Sequence, residues 1–177
     1  MNKLFFKYGL YSGLALSIIL GLSFYLLLLK TPTMELSRIN LTDINGNLID
    51  QKTLLEKPLV INYWATWCKP CIEFFPYLHV IYDKYKDDKD VMFVILNTAS
   101  ANTFEDAFTW VDQNKQFPFP FYYNEDKKLS AKLDVNTIPT TFLLDKNSKI
   151  RFKKIGNEGE KAMPQLDAMI EFLKQQK

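Results

Sequence analysis

The chain has 177 residues, with 22 Lys and Arg against 20 Asp and Glu, a formal net charge of +2, and two cysteines. So small a net charge, with no basic stripe interleaved with aromatics, argues against nucleic acid as a partner. A single histidine, His79, leaves too few ligands for a zinc centre built on the cysteines.

From Leu10 to Leu29 there is no charged residue, and about twenty apolar residues suffice to cross a bilayer as a helix. Lys3 and Lys7 precede this run and Lys30 closes it. The alternative is a cleaved signal peptide, with a shorter apolar region and then a small-x-small site. Here the nearest such triplet, Gly21-Leu22-Ser23, lies inside the run, with Phe24 to Leu29 still to follow. The reading is therefore a retained anchor. Positive charge before the span and a large domain after it argue for a cytoplasmic N-terminus. Residues 1–9 form that terminus, 10–29 the transmembrane anchor, 30–38 a linker marked by Pro32, and 39–177 one domain outside the cytoplasm.

Ile39 to Ile49 suggests a hairpin, with Asn45-Gly46 as its turn. Lys52 to Lys57 reads as a polar connection containing a short helical turn. Leu59 to Tyr63 is a short apolar strand that ends at Trp64. A helix is expected from about Pro70 to Tyr85, with Ile72, Phe75, Leu78 and Tyr82 near helical spacing and a kink at Pro76. Val91 to Asn97 is almost continuously apolar, as in a strand covered on both faces. Phe104 to Gln116 reads as a second helix, with Phe104, Phe108 and Val111 on one side. Phe117 to Tyr123 is an extended stretch with two prolines, and Leu129 to Leu133 a short helix. Thr140 to Leu144 and Ile150 to Ile155 form a hairpin around Lys146-Asn147-Ser148. Ala162 to Lys174 closes the chain as an amphipathic helix. This order makes an α/β sheet with helices on both faces.

Cys68 and Cys71 carry the chemistry. In an exported protein, paired cysteines are first read as a structural disulfide, which stabilises by closing a long loop. A bridge across three residues closes almost nothing, so a redox-active pair is the better reading. Cys68 falls where a helix begins, and the unpaired N–H groups and dipole there favour its thiolate, the form that attacks a disulfide. Cys71, one turn into the helix, is expected to be more buried and to act as the resolving thiol. Pro70 suits the first helical turn, where its missing N–H costs nothing. Lys69 adds an exposed cation nearby. Trp67 reads as an apolar contact surface beside Cys68, and Trp64 as core.

In Val60-Ile-Asn-Tyr-Trp-Ala-Thr-Trp-Cys-Lys-Pro-Cys71, with Pro76 beyond it, and in Val135-Asn-Thr-Ile-Pro-Thr-Thr-Phe-Leu-Leu-Asp145, the sequence resembles the thioredoxin superfamily. It is most similar to the membrane-anchored TlpA/ResA-like branch, and the resemblance covers most of the chain after about Ile39. It implies a thioredoxin-like fold: a central mixed β-sheet flanked by helices, with an added N-terminal hairpin and an inserted helix at about Phe104 to Gln116. It further implies a cis Ile138–Pro139 bond beside the cysteines, with the backbone of Ile138 open to a client chain. Asn62 stands where thioredoxins carry a buried Asp, which supports the branch. Phe74 stands where the branch often has a Glu. Glu73, one residue and about 100° away on a helix, reads as a surface carboxylate, and His79 as a surface or half-buried residue.

The resemblance implies a thiol–disulfide oxidoreductase that reduces disulfides of exported proteins, apocytochrome c among the family's clients. Its electrons would come from a transmembrane thiol donor. No cofactor or metal is implied, and a monomer is expected. Direction is a matter of potential against partners, and Lys69-Pro70 does not decide it. A peroxiredoxin would need Pro and Thr where Ile61 and Ala65 stand. A metal-binding module of the same fold would want a wider cysteine spacing and a downstream histidine. A redox-inert interaction domain is disfavoured by the presence of both cysteines.

Overall fold

The computed structural model describes residues 18–23, 40–49, 51–54, 57–98, 100–125 and 128–176. The chain divides into two units at Pro32. In the first, Ile18 to Ser23 is helical; the rest of the expected anchor, the N-terminal residues before it and the whole linker lie outside the described residues. Among the described residues no helix is long and apolar enough to cross a membrane.

The second unit is built on a sheet of strands β1 (Thr42–Asp43), β2 (Leu59–Tyr63), β3 (Met92–Thr98), β4 (Phe121–Asn124), β5 (Thr140–Leu144) and β6 (Ile150–Ile155), in the order β1-β4-β3-β2-β5-β6. β3 lies parallel to β2 and to β4, whereas β1–β4, β2–β5 and β5–β6 are antiparallel. The helices are α1 (Lys69–Tyr85), α2 (Phe104–Gln113), α3 (Lys128–Lys132) and α4 (Met163–Lys174), with 3-10 turns at Gln51–Leu54 and Gly159–Ala162. This is the thioredoxin-like architecture that the sequence implies.

Side chains alternate across a strand, and the two faces of the sheet bury separate apolar clusters. Val60, Phe93, Ile95, Phe121 and Leu143 meet Phe74, Phe75, Leu78 and Ile81 of α1 and Leu166, Ile170 and Leu173 of α4. Leu59, Ile61, Tyr63, Val94, Leu96, Phe142 and Leu144 meet Leu41, Leu54, Leu129 and Leu133 on the other face. Strands buried on both sides have no polar face to show, which is why β2 and β3 read as nearly continuous apolar runs, interrupted in β2 by Asn62 and ending in β3 at Asn97 and Thr98. β6 is an edge strand. It carries Arg151, Lys153 and Lys154, and such charges discourage pairing with another chain.

The elements expected within the second unit are present, with three differences. The N-terminal hairpin shrinks to the two residues of β1 and one bridge between Thr42 and Leu48. Asp43 Oδ1 accepts the N–H groups of Asn45 and Asn47, both at 2.8 Å, and Gly46 takes φ +82°, so the chain turns before a longer ladder can form. α2 stops at Gln113 rather than 116, because Asn114 caps it by donating its N–H to the Val111 carbonyl and its amide to the Trp110 carbonyl at 2.7 Å. The inner stripe of α1 is Cys71, Phe74, Phe75, Leu78, Ile81 and Tyr85, while Ile72 and Tyr82 are only half-buried. The helix continues through Pro76, which faces solvent.

Candidate redox site

β2 delivers the chain to the site at the end of a buried strand, where the Trp64 N–H still donates to Leu96 of β3 at 3.1 Å. The backbone then turns, with the Cys68 N–H bonded to the Ala65 carbonyl at 3.1 Å, and enters α1. Cys68 is the N-cap of α1 and Pro70 sits in its first turn. Cys68 and Cys71 are joined as a disulfide with their Cα atoms 5.3 Å apart. The Cys68 Sγ accepts the Cys71 N–H at 3.2 Å. The sulfur thus occupies the place where a helix N-terminus offers unspent donors and the positive end of its dipole. Cys68 is 4% exposed and Cys71 fully buried, the order expected of an attacking and a resolving sulfur.

Around this pair, Trp67 is 65% exposed and held against the neighbouring loop, its indole N–H donating to the Ala101 carbonyl at 2.9 Å. Ile138–Pro139 is cis, Pro139 is buried, and its carbonyl accepts the Gly156 N–H at 2.8 Å. Trp67 and Ile138 line one cleft of about 190 Å³ with Tyr63, Ser100, Asn136 and Thr137. Lys69 points outward and pairs with Glu73 at 3.6 Å, both exposed. Of the residues singled out in the sequence, Trp67 and Ile138 therefore line one cleft, Pro139 follows Ile138 into the interior, and Lys69 and Pro70 begin the helix.

The remaining neighbours are also placed. Asn62 is fully buried and donates its amide to the Thr141 hydroxyl at 2.9 Å, so it ties β2 to β5. His79 is half-buried against the Phe119 ring, with Nε2 3.7 Å from Asp83. Burial pushes the Tyr63 hydroxyl well above the ordinary phenol range, so this wall of the cleft stays a neutral phenol. Sequence reasoning missed the segment from Thr98 to Thr103. Its Asn102 amide donates to the Thr66 hydroxyl at 2.7 Å and accepts the Thr66 N–H at 3.0 Å. Only the Ser/Thr-rich composition marks this stretch, and nothing in it signals a contact with a loop 36 residues earlier.

A thioredoxin-like sheet with a Cys-x-x-Cys pair at the start of its first long helix defines a protein of the thioredoxin superfamily. More particularly, the chain belongs to the Redoxin family, whose pattern matches residues 30–170. It is 35% identical over 117 residues to a thiol-disulfide oxidoreductase ResA of Bacillus cereus, a match covering 66% of this chain and 65% of that protein. The match thus spans slightly less than two thirds of that relative's length. StoA from Bacillus subtilis is similar in structure, with a TM-score of 0.59 and 26% identity over 73% of this chain and 92% of that one. A thiol-disulfide isomerase from Corynebacterium glutamicum shares the fold, with a TM-score of 0.65 at 17% identity, covering 84% and 99% of the two chains.

Proposed function

We propose that this chain is an extracytoplasmic thiol–disulfide oxidoreductase, held to the membrane by residues 10–29, that reduces disulfides of exported proteins. The observation that carries the reading is the Cys68–Cys71 disulfide at the N-terminus of α1, with the Cys68 sulfur accepting a helix N–H. A bridge between residues three apart contributes little to stability, so its value is chemical.

In the dithiol form, the Cys68 thiolate attacks one sulfur of a client disulfide. The client S–S bond breaks, its other sulfur leaves as a thiolate that takes up a proton, and a mixed disulfide joins Cys68 to the client. Cys71 then loses its proton and attacks the Cys68 sulfur. The client's second thiolate leaves, and the Cys68–Cys71 disulfide forms. Two electrons pass to the client, whose two thiolates take up the proton released by Cys71 and a second one from solvent. A transmembrane thiol protein reverses the exchange and restores the dithiol. Trp67 and Ile138 supply the docking surface, and apocytochrome c before haem attachment is a client of the right chemistry. The membrane location rests on the uncharged run from Leu10 to Leu29 between Lys7 and Lys30.

The test is reduction of a disulfide-bonded reporter such as insulin by the reduced full chain, with the couple equilibrated against glutathione. Turnover is expected for the native chain and none for Cys68→Ser, while Cys71→Ser should accumulate the mixed disulfide. A potential near about −270 mV fits a reductase, and one near about −120 mV would overturn that direction. Absence of any exchange would overturn the function. The anchor is tested separately: full-length chain should leave the membrane fraction with detergent and not with high salt.

A further inference from the structure

The segment from Ala65 to Trp67 carries the approach to Cys68, yet its own neighbours in sequence hold it only at its ends. At one end Trp64 bonds to β3, and at the other Cys68 folds back on Ala65. The middle is held from outside by the loop between β3 and α2. Asn102 presents both functions of its amide to one residue: Oδ1 accepts the Thr66 N–H at 3.0 Å, and Nδ2 donates to the Thr66 hydroxyl at 2.7 Å. The neighbouring Ala101 carbonyl takes the Trp67 indole N–H at 2.9 Å.

Asn102 is itself fixed from several directions. Oδ1 also accepts the Asn97 amide at 3.0 Å, from within β3. Its N–H donates to the Thr98 carbonyl at 3.1 Å, and its carbonyl accepts the Tyr123 hydroxyl of β4 at 2.9 Å. The next residue, Thr103, caps α2, its hydroxyl accepting the Asp106 N–H at 3.1 Å. A residue bound to two strands and next to a helix start is a rigid post. An amide can meet an N–H and a hydroxyl on one residue at once, which an aliphatic side chain cannot.

We propose that Asn102 is a positioning residue for the redox pair: it clamps Thr66 so that the Cys68 sulfur stays over the first turn of α1 in both redox states. This rests on the reading of Cys68 as the attacking nucleophile. Breaking the disulfide removes the covalent tie between the Cys68 and Cys71 sulfurs, and the clamp two residues upstream then limits how far the freed thiolate drifts from the Cys71 N–H. Loosened, the thiolate loses part of its helix-terminus stabilisation and its alignment with an incoming disulfide.

The experiment has two readouts on the reduced full chain. The first is the pH dependence of Cys68 alkylation by iodoacetamide in a Cys71→Ser background, which requires no client. The second is kcat/KM for insulin reduction with both cysteines present. Asn102→Ala is expected to move the alkylation midpoint upward by about one pH unit and to lower kcat/KM about tenfold. Thr66→Val, which loses the hydroxyl and keeps the N–H, should give a smaller change in the same direction, and Thr66→Ser should restore both readouts. The double variant Asn102→Ala/Thr66→Val should be no worse than Asn102→Ala, since both remove the same contact. Asp145→Ala, at the distant β5–β6 turn, should lower Tm without moving either readout. The proposal is overturned if Asn102→Ala and Thr66→Val behave like Asp145→Ala, or if their effects add in full. Should Asn102→Ala not fold, Thr66→Val and Thr66→Ser decide the matter, because Thr66 is only half-buried. A native chain that alkylates normally and reduces no disulfide would defeat the proposed function, with the clamp still decided by the alkylation profile.

Discussion

Asp145 closes the β5–β6 turn with one carboxylate. Oδ1 accepts the N–H groups of Asn147 at 2.9 Å and Lys149 at 3.0 Å, and Oδ2 takes the Arg151 Nε at 2.8 Å, while Ser148 takes φ +60°. Burial alone would raise its pKa, but the backbone donors and the Arg151 guanidinium outweigh it and hold the carboxyl below the usual range. A depressed folded pKa means stability that is present above the unfolded value, about 3.9, and lost as pH falls through the folded one. Thermal unfolding followed from about pH 6 to about pH 2 should therefore show Tm falling on the acid side. Asp145→Asn, which keeps an acceptor and loses the charge, should start lower and fall less steeply. An unchanged acid slope would refute this. The sequence offers a hairpin around Lys146-Asn147-Ser148 and no more, since the arginine partner of Asp145 lies across that hairpin.

Between elements, the C-terminal end of α1 is tied to α4 by polar contacts over an apolar seam. Lys84 meets Asp167 at 2.6 Å, Lys174 meets Asp88 at 2.6 Å, and the Tyr85 hydroxyl lies 2.7 Å from Asp167 and 2.8 Å from Glu171. Burial first, and then the two carboxylates it bonds, push the Tyr85 phenol far up, so it stays a donor. Tyr85→Phe keeps the buried ring and leaves the carboxylates one donor short. It should cost about 1–3 kcal/mol by urea unfolding and leave disulfide exchange unchanged, since this seam lies at the far end of α1 from Cys68. A loss under about 0.5 kcal/mol would mean that water replaces the hydroxyl fully. Helical spacing foretold both helices. It misplaced the inner stripe of α1 by choosing Ile72 and Tyr82 over Phe74, Ile81 and Tyr85, because the packing partner, and not the period, selects the face.

For the molecule as a whole, one aromatic cluster joins the redox loop to the inserted helix. Trp64, Phe75, Trp110, Phe117, Phe119 and Phe121 meet mostly edge to face, with centroids 4.9 Å apart for Trp64–Trp110 and 5.5 Å for Trp64–Phe75. Phe75 meets each of the other rings and is fully buried. Phe75→Ala would open a cavity under both Trp64 and α2, at a cost of about 3–5 kcal/mol by denaturant unfolding. A loss below about 1 kcal/mol would show that the cluster collapses to fill the space.

The sequence by itself determined the class of fold, the strand and helix order, the helix-start position of Cys68 and the pairing of Cys68 with Cys71. These follow from local causes: apolar periodicity, turn residues and a spacing of three. The tertiary structure decided what joins distant residues. It placed Trp67 and Ile138 on one cleft, made Asn62 a strand-to-strand tie, and set Asn102 against Thr66. Such contacts are fixed by how β2, β3 and β5 register in the sheet, and no short-range pattern along the chain carries that register.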